Sequence, residues 1–284
     1  MMRTSGGKWI CLVAVAAVAV VSAEQQDATM ARFKEMTTLE QVVSLKAAAR
    51  LDSTLGSKEL LRVLELATAS ADADVRRHAF GLASYRAGAA RLAKSSEVRD
   101  NWRRDRADLQ KLEQPAARAL LTDLDERVRR SALDALANLQ YDGGEKTNIG
   151  IAVGRVFVET LAVALDQEPS PSVRAEIVKS LALSDSDLPA HVTTLESALA
   201  DSEPAVLQFA LLGLARHGVQ RSVSKAIDFL SHGDMRVRSA AIQAIATLGL
   251  TRAGDLERVQ AAYAAETDAS VKEMIRQTIS KLVK

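Results

Sequence analysis

The hydrophobic residues of this chain recur in a pattern that repeats six times. Six segments align without gaps on a valine, and the residues four and eight positions after each valine are small or apolar. Positions 0, 4 and 8 lie on one stripe of an α-helix, so each segment predicts a helix with one face turned to a core. The anchor valines are Val75, Val128, Val173, Val206, Val237 and Val271.

Each predicted helix has a recognisable start. Three residues before the valines stand candidate N-cap residues, whose side-chain oxygens would accept hydrogen bonds from the first free amides. They are Asp72, Asp125, Ser170, Glu203, Asp234 and Asp268, with Glu203 the weakest candidate. Pro171 and Pro204 follow two of them at the first helical position, where the missing N–H costs nothing. Gly218 and Gly249 follow the fourth and fifth helices and fit C-terminal caps.

A second apolar segment precedes most of these helices, as in SKELLRVLELATAS, RVFVETLAVAL and DLERVQAAYAA. Each unit is then two antiparallel helices joined by a short acidic turn, and the last four anchor valines recur at nearly equal intervals. One such pair cannot bury its apolar face alone, whereas a stack of pairs can. The low aromatic content of 4% agrees with many small helix interfaces.

The repeated motif D-x-x-V-R-x-x-A resembles the HEAT-repeat family, especially the short HEAT-like repeats named after phycobilisome lyases. The resemblance covers about residues 57–283. It implies an all-α fold, a right-handed α-α superhelix of about six helix pairs of the HEAT/armadillo type. Tetratricopeptide and ankyrin repeats have similar lengths, but their signatures are absent.

A basic residue directly follows five of the six valines, namely Arg76, Arg129, Arg174, Arg238 and Lys272. The family resemblance implies that this residue pairs with the acidic cap of an adjacent repeat, which forms a ladder of ion pairs along the stack. A row of ligand-binding cations is the alternative. Leu207 is the exception in this column and suggests that the repeat 203–217 packs differently.

The N-terminal segment 1–23 predicts a secretory signal peptide. Arg3 and Lys8 give a positive start, Trp9 to Val21 is an apolar run, and Ala23 precedes the expected cleavage before Glu24. An uncleaved anchor is the alternative, but a membrane span needs about 20 apolar residues. We therefore expect three segments: the signal peptide 1–23, an N-terminal segment 24–56 with a capping helix, and a solenoid 57–284.

Cleavage would leave a chain without cysteine, since Cys11 is the only one, and would change the formal net charge from +1 to −1. The mature protein would then have neither a disulfide nor a thiolate. A near-zero charge removes the simplest argument for binding to nucleic acids or acidic membranes. We expect a periplasmic or secreted protein without stable membrane insertion.

No pattern predicts catalytic, cofactor-binding or metal-binding residues. The four histidines fall in different repeats without ligand spacing, which indicates surface or interface positions. They are His78, His191, His217 and His232. The segment 143–147 lacks the spacing of a phosphate-binding loop and is interpreted as an inserted turn. We therefore predict that the protein is not an enzyme.

Two segments are candidates for partner binding. Trp102, Arg103 and Arg104 form a basic and aromatic cluster that would suit a phosphate or a base, although neighbouring acids favour a solvated helical extension. The second candidate is the helix around Phe209 and Leu212, which is apolar nearly all round. Burial between repeats is the simpler explanation for it, and an exposed hydrophobic strip is the alternative.

The sequence therefore predicts an exported protein-interaction scaffold whose second helices line the concave surface, as the HEAT resemblance implies. The partner would be a protein, with no cofactor and no nucleic acid. Two alternatives belong to other classes. A bilin lyase or isomerase is suggested by the name of the subfamily, and a nucleic-acid binder by HEAT-repeat DNA glycosylases. The export signal argues against both, and the net charge argues against the second.

Overall fold

The computed structural model describes residues 31–50, 57–92, 108–140, 151–152, 154–186 and 188–283. The chain divides into two compact units, 1–144 and 145–284, and the described residues of each unit form stacked helix pairs. No helix in the described ranges is long and apolar enough to cross a membrane. The all-α architecture predicted from the sequence is confirmed.

Within the described ranges, the first unit contains a helical turn over residues 31–35, one leading helix and two helix pairs. Its helices are α1 (Thr38–Arg50), α2 (Ser57–Thr68), α3 (Ala73–Leu92), α4 (Glu113–Thr122) and α5 (Glu126–Leu139), with a 3-10 turn at Gln110–Leu112. Helix α3 packs against α1, α2 and α5, and α4 packs against α5. The leading helix α1 thus contacts the second helix of the first pair.

The second unit contains four helix pairs. Its helices are α6 (Arg155–Gln167), α7 (Pro171–Leu183), α8 (Pro189–Ser197), α9 (Pro204–Arg216), α10 (Val223–Asp228), α11 (Met235–Leu248), α12 (Asp255–Ala265) and α13 (Ala269–Leu282). The 3-10 turns Ala198–Ala200, Gln220–Ser222 and Phe229–Ser231 extend the first helices. Strands β1 (Ile151–Ala152) and β2 (Ser184–Asp185) form a short parallel pair, which the sequence pattern did not predict.

The helices of the second unit are arranged in two layers. The second helices α7, α9, α11 and α13 contact one another in chain order. The first helices form the other layer, in which α6 contacts α8 and α10 contacts α12. Each apolar stripe is covered by its own partner helix and by neighbouring repeats, as expected for stacked pairs.

The predicted apolar stripe lies inside the protein. All six anchor valines and all residues four positions later are fully buried. Eight positions after the valine the side chains are also buried, except Ile279, which is only partly buried in the last helix. The register inferred from the sequence is therefore correct in every repeat.

The hydrogen bonds predicted for the N-cap side chains are confirmed at five of six helices. Asp234 Oδ1 accepts the backbone N–H of Arg236 at 2.7 Å, and the aspartates at the three equivalent positions accept amide hydrogens in the same way. Glu203 also caps, with a longer distance of 3.5 Å to the amide of Ala205. Ser170 is the N-cap residue of α7 as predicted, but the expected bond from its side chain is absent, and its hydroxyl lies 3.0 Å from that of Ser172.

Both predicted glycine caps have a positive φ. Gly218 has φ 65° and Gly249 has φ 78°, and the amide of Gly249 donates to the carbonyl of Ile245 at 2.8 Å. A residue with a Cβ atom would be strained at either position. These glycines end α9 and α11 where the chain must turn towards the next pair.

The position five residues after each valine distinguishes the last repeat from the others. It is apolar and fully buried in the first five copies, at Phe80, Leu133, Val178, Leu211 and Ile242. In α13 the same position is Arg276, whose side chain is 57% exposed and pairs with Glu273. The final helix thus has a charged face where the earlier helices have an apolar one, which is the composition of a terminal repeat.

Candidate partner-binding surface

An ion-pair ladder connects neighbouring repeats, but its acceptor is not the predicted one. In the second unit, Arg238 Nε lies 2.7 Å from Glu266 Oε2, and Arg174 pairs with Asp201 over the same distance. Arg76 pairs with Asp123 in the first unit, also at 2.7 Å. Each acceptor lies two residues before the N-cap of the following repeat. The expected pairing with the cap residue itself is therefore wrong.

Arg238 and Glu266 each form further hydrogen bonds within the turn of their own repeat. Arg238 Nη1 donates to the carbonyl oxygens of His232 and Gly233, at 2.9 and 3.1 Å. Glu266 Oε1 accepts the backbone amide of the cap residue Asp268 at 2.8 Å. The arginine thus joins the turn of its own repeat to the turn of the next one. The cap carboxylate instead accepts the first amides of its own helix, as Asp268 does from Ser270 and Val271.

These ion pairs are structural contacts. The Arg238 and Glu266 side chains are only 15% and 3% exposed. The guanidinium of Arg238 holds the pKa of the Glu266 carboxyl below its usual range, and Glu266 in turn raises the pKa of Arg238. A cation held in this way is not free to bind a ligand, which argues against the ligand-binding alternative for this column.

Between the fourth and fifth repeats, both partners of the ion pair are replaced. Leu207 replaces the arginine, and His232 stands where the following repeat would supply the acidic acceptor. Leu207 is buried in the apolar core of the second unit. His232 retains the local role of the acid, because its Nδ1 accepts the amide of Asp234 at 3.0 Å. At this repeat apolar packing therefore replaces the ion pair, and this replacement is the predicted difference in packing.

Phe209 and Leu212 lie on one face of α9, three residues apart, and both side chains are half-buried. The ammonium of Lys179, from α7, lies 5.9 Å from the centre of the Phe209 ring. Lys179 also pairs with Glu176 at 3.0 Å. This group of four side chains on α7 and α9 is called the Phe209 surface below. It combines an apolar centre with both signs of charge beside it.

The other candidate cluster, Trp102, Arg103 and Arg104, lies outside the described residues, as does the glycine-containing segment 143–147. Residues 108–112, directly after the cluster, are helical and bury Leu109 and Leu112. Of the two candidate sites, the Phe209 surface lies within the described residues.

Two of the four histidines meet within the α8–α9 pair of the second unit, so the expectation that all four fall in different repeats is wrong. His191 is fully buried, and its ring lies 4.5 Å from that of His217, measured between ring centres. One feature of the sequence indicates that His191 is buried, since this residue lies on the same helical stripe as the apolar Leu195. Within the described ranges, no three His, Cys, Asp or Glu side chains are placed to hold a metal ion together.

Residues 192–280 match the family model of HEAT repeats. The HEAT resemblance is thereby confirmed for the last repeats, whereas nothing supports the phycobilisome-lyase type in particular. No curated protein matches the sequence.

Solved structures of repeat proteins are similar to the chain. The crystal structure of YibA from Escherichia coli shares 15% identity, covering 100% of this chain and 99% of that one, with a TM-score of 0.47. A designed armadillo repeat protein shares 15% identity over 89% of this chain and 98% of its own, with a TM-score of 0.35. A related design in complex with the peptide (KR)4 shares 14% identity over 95% and 98%, with a TM-score of 0.33.

Proposed function

We propose that this protein is an exported scaffold that binds a partner protein through the Phe209 surface and has no catalytic activity of its own. The HEAT-repeat fold suggests a protein-interaction scaffold. The observation that carries the proposal is the half-buried pair Phe209 and Leu212 on the layer of second helices. A large aromatic side chain that keeps part of its surface accessible is typical of a binding hot spot.

The chemistry of the surface favours a protein segment as the ligand. Phe209 and Leu212 offer apolar contact, while Lys179 and Glu176 beside them offer one cation and one anion. An apolar centre with a polar rim is the usual anatomy of a protein–protein interface. A polyanion such as a nucleic acid would instead need an excess of cations, and these two charges cancel.

The binding role is tested with a Phe209→Ala variant in a pull-down from the native extracytoplasmic compartment, followed by mass spectrometry and measurement of Kd for the captured protein. We expect the variant to weaken binding by about thirtyfold or more, which corresponds to about 2 kcal/mol. Val163→Ala is the matched control, because Val163 is 45% exposed on the other layer. An unchanged Kd for Phe209→Ala in a folded protein would refute the proposed surface.

Export rests on the N-terminal segment 1–23. Its positive start, apolar run and small residues before Glu24 support a cleaved signal peptide. N-terminal sequencing of the protein from its native cell is expected to find Glu24 first, in the soluble extracytoplasmic fraction. An intact Met1 in a membrane fraction would contradict export by cleavage and support an uncleaved anchor.

A further inference from the structure

The histidine contact joins parts of the second unit that are distant in sequence. His191 belongs to α8, and His217 is the residue at the C-terminal end of α9. Their rings meet edge to face, with ring planes inclined by 69°. The end of α9 is therefore held against the start of α8 by two side chains that can each accept a proton.

The hydrogen bond of His191 defines the tautomer of its neutral ring. Its Nε2 lies 2.8 Å from the carbonyl oxygen of Leu181, in the last turn of α7. A carbonyl oxygen only accepts, so Nε2 carries the hydrogen and Nδ1 is bare in the neutral ring. That Nδ1, like Nε2 of His217, is buried and has no hydrogen-bond partner among the described residues. A proton added to either bare nitrogen would create a buried donor without an acceptor.

The surroundings of His217 also disfavour its charged form. Burial lowers the pKa of His217, and the neighbouring His191 and Arg216 lower it further. Asp185 on β2 and the backbone of Ser184 act in the opposite direction, but the pKa stays below its usual value of 6.5. These are the titratable and charged groups that face the ring, from β2, α8 and α9.

We propose that the His191–His217 contact is an acid-sensitive device that holds the C-terminal end of α9 in place at neutral pH and releases it when His217 is protonated. A charge on His217 disfavours the contact, because its buried Nε2 has no hydrogen-bond acceptor among the described residues. Its loosening frees the turn around Gly218, which leads into the next repeat. This inference does not depend on the proposed partner surface.

The sign of the pH effect follows from linkage. An opened or unfolded His217 titrates near 6.5, whereas the folded one binds its proton only at lower pH. The contribution of the contact is thus complete above pH 6.5 and is lost as the pH falls towards the folded pKa. Within that window, uptake of one proton raises the equilibrium constant for opening about tenfold per pH unit.

Amide hydrogen exchange of the full chain at pH 7.5 and pH 5.5, corrected for the intrinsic rates, tests the inference. We expect protection of residues 209–219 to fall at pH 5.5, by up to about tenfold for one proton, while residues 126–139 in the first unit keep theirs. His217→Gln is expected to remove the difference, since glutamine does not titrate. His78→Gln, in the first unit, is the matched control and should leave it intact.

An NMR titration of the histidine Cε1 protons keeps the test independent of the stability of the variants. The resonance of His217 in the unaltered protein is expected to titrate below pH 6.5. A midpoint at or above 6.5 would overturn the inference. So would equal protection of residues 209–219 at both pH values, or a pH response that persists in a folded His217→Gln protein.

Discussion

Arg238 forms a bidentate ion pair with Glu266, in which Nε lies 2.7 Å from Oε2 and Nη2 lies 3.0 Å from Oε1. The two residues come from consecutive repeats of the second unit. Because the same carboxylate also accepts the amides of Thr267 and Asp268, one acid orders a turn and joins it to its neighbour. The strength of the stack therefore depends on residues that lie between the helices.

Glu266→Ala is expected to destabilise the protein by about 2–4 kcal/mol, because it leaves the Arg238 guanidinium largely buried without its counter-ion. Urea denaturation at pH 7, followed by circular dichroism, measures the loss. A change below about 0.5 kcal/mol would show that the ion pair contributes little beyond its desolvation cost.

The chain itself offers a compensating pair for this junction. Leu207 and His232 occupy the equivalent positions one repeat earlier. We expect the double variant Arg238→Leu with Glu266→His to be less destabilised than the sum of the two single variants, with a coupling of about 1 kcal/mol or more. If the stability effects of the two single substitutions simply add, the replacement of the ion pair by Leu207 and His232 depends on other residues around that position.

Gly213 allows α9 to approach its neighbours closely. A Cβ atom at this position would lie 2.8 Å from the Cβ of Ala182 and 3.2 Å from Leu195 Cδ1. Gly213→Ala is therefore expected to cost about 1–3 kcal/mol through overpacking. Gly81→Ala is the matched control in another helix, since nothing lies within 4 Å of its added Cβ. The control should be neutral or stabilising by about 0.5–1 kcal/mol.

Asp234 makes the stability of α11 depend on pH in the acidic range. Its hydrogen bonds with Arg236 lower the pKa of the carboxyl from 3.8 to about 2. The folded state then gains stability above pH 3.8, which is lost as the pH falls towards 2. Asp234→Asn keeps a capping oxygen, so we expect a loss of about 1 kcal/mol at pH 5 that vanishes near pH 2, measured by urea denaturation at both values.

Arg276 keeps the outer face of α13 charged. Arg276→Leu would place an apolar side chain where the earlier repeats pack against a neighbour, so we expect self-association at high protein concentration with little change in stability. Analytical ultracentrifugation detects the change, and Arg276→Gln serves as the polar control. A monomeric leucine variant would show that this face does not associate through one added apolar residue.

The repeats and their register could be predicted from the sequence because the forces that place them are local. A stripe at positions 0, 4 and 8 around Val237 reflects the helical period. Asp234, three residues earlier, caps the helix through amides of its own first turn. At Ser170 the predicted capping bond does not form, because the nearby hydroxyl of Ser172 pairs with its side chain.

The contacts between helices could not be predicted in the same way. The ladder acceptor is Glu266 rather than Asp268, since the separation of adjacent turns decides which carboxylate an arginine reaches. His191 and His217 are far apart in the sequence and meet only because α8 and α9 pack together. The helices were thus determined by neighbours along the chain, whereas the ion pairs, the histidine contact and the half-buried Phe209 were decided by distances that only the stacked repeats establish.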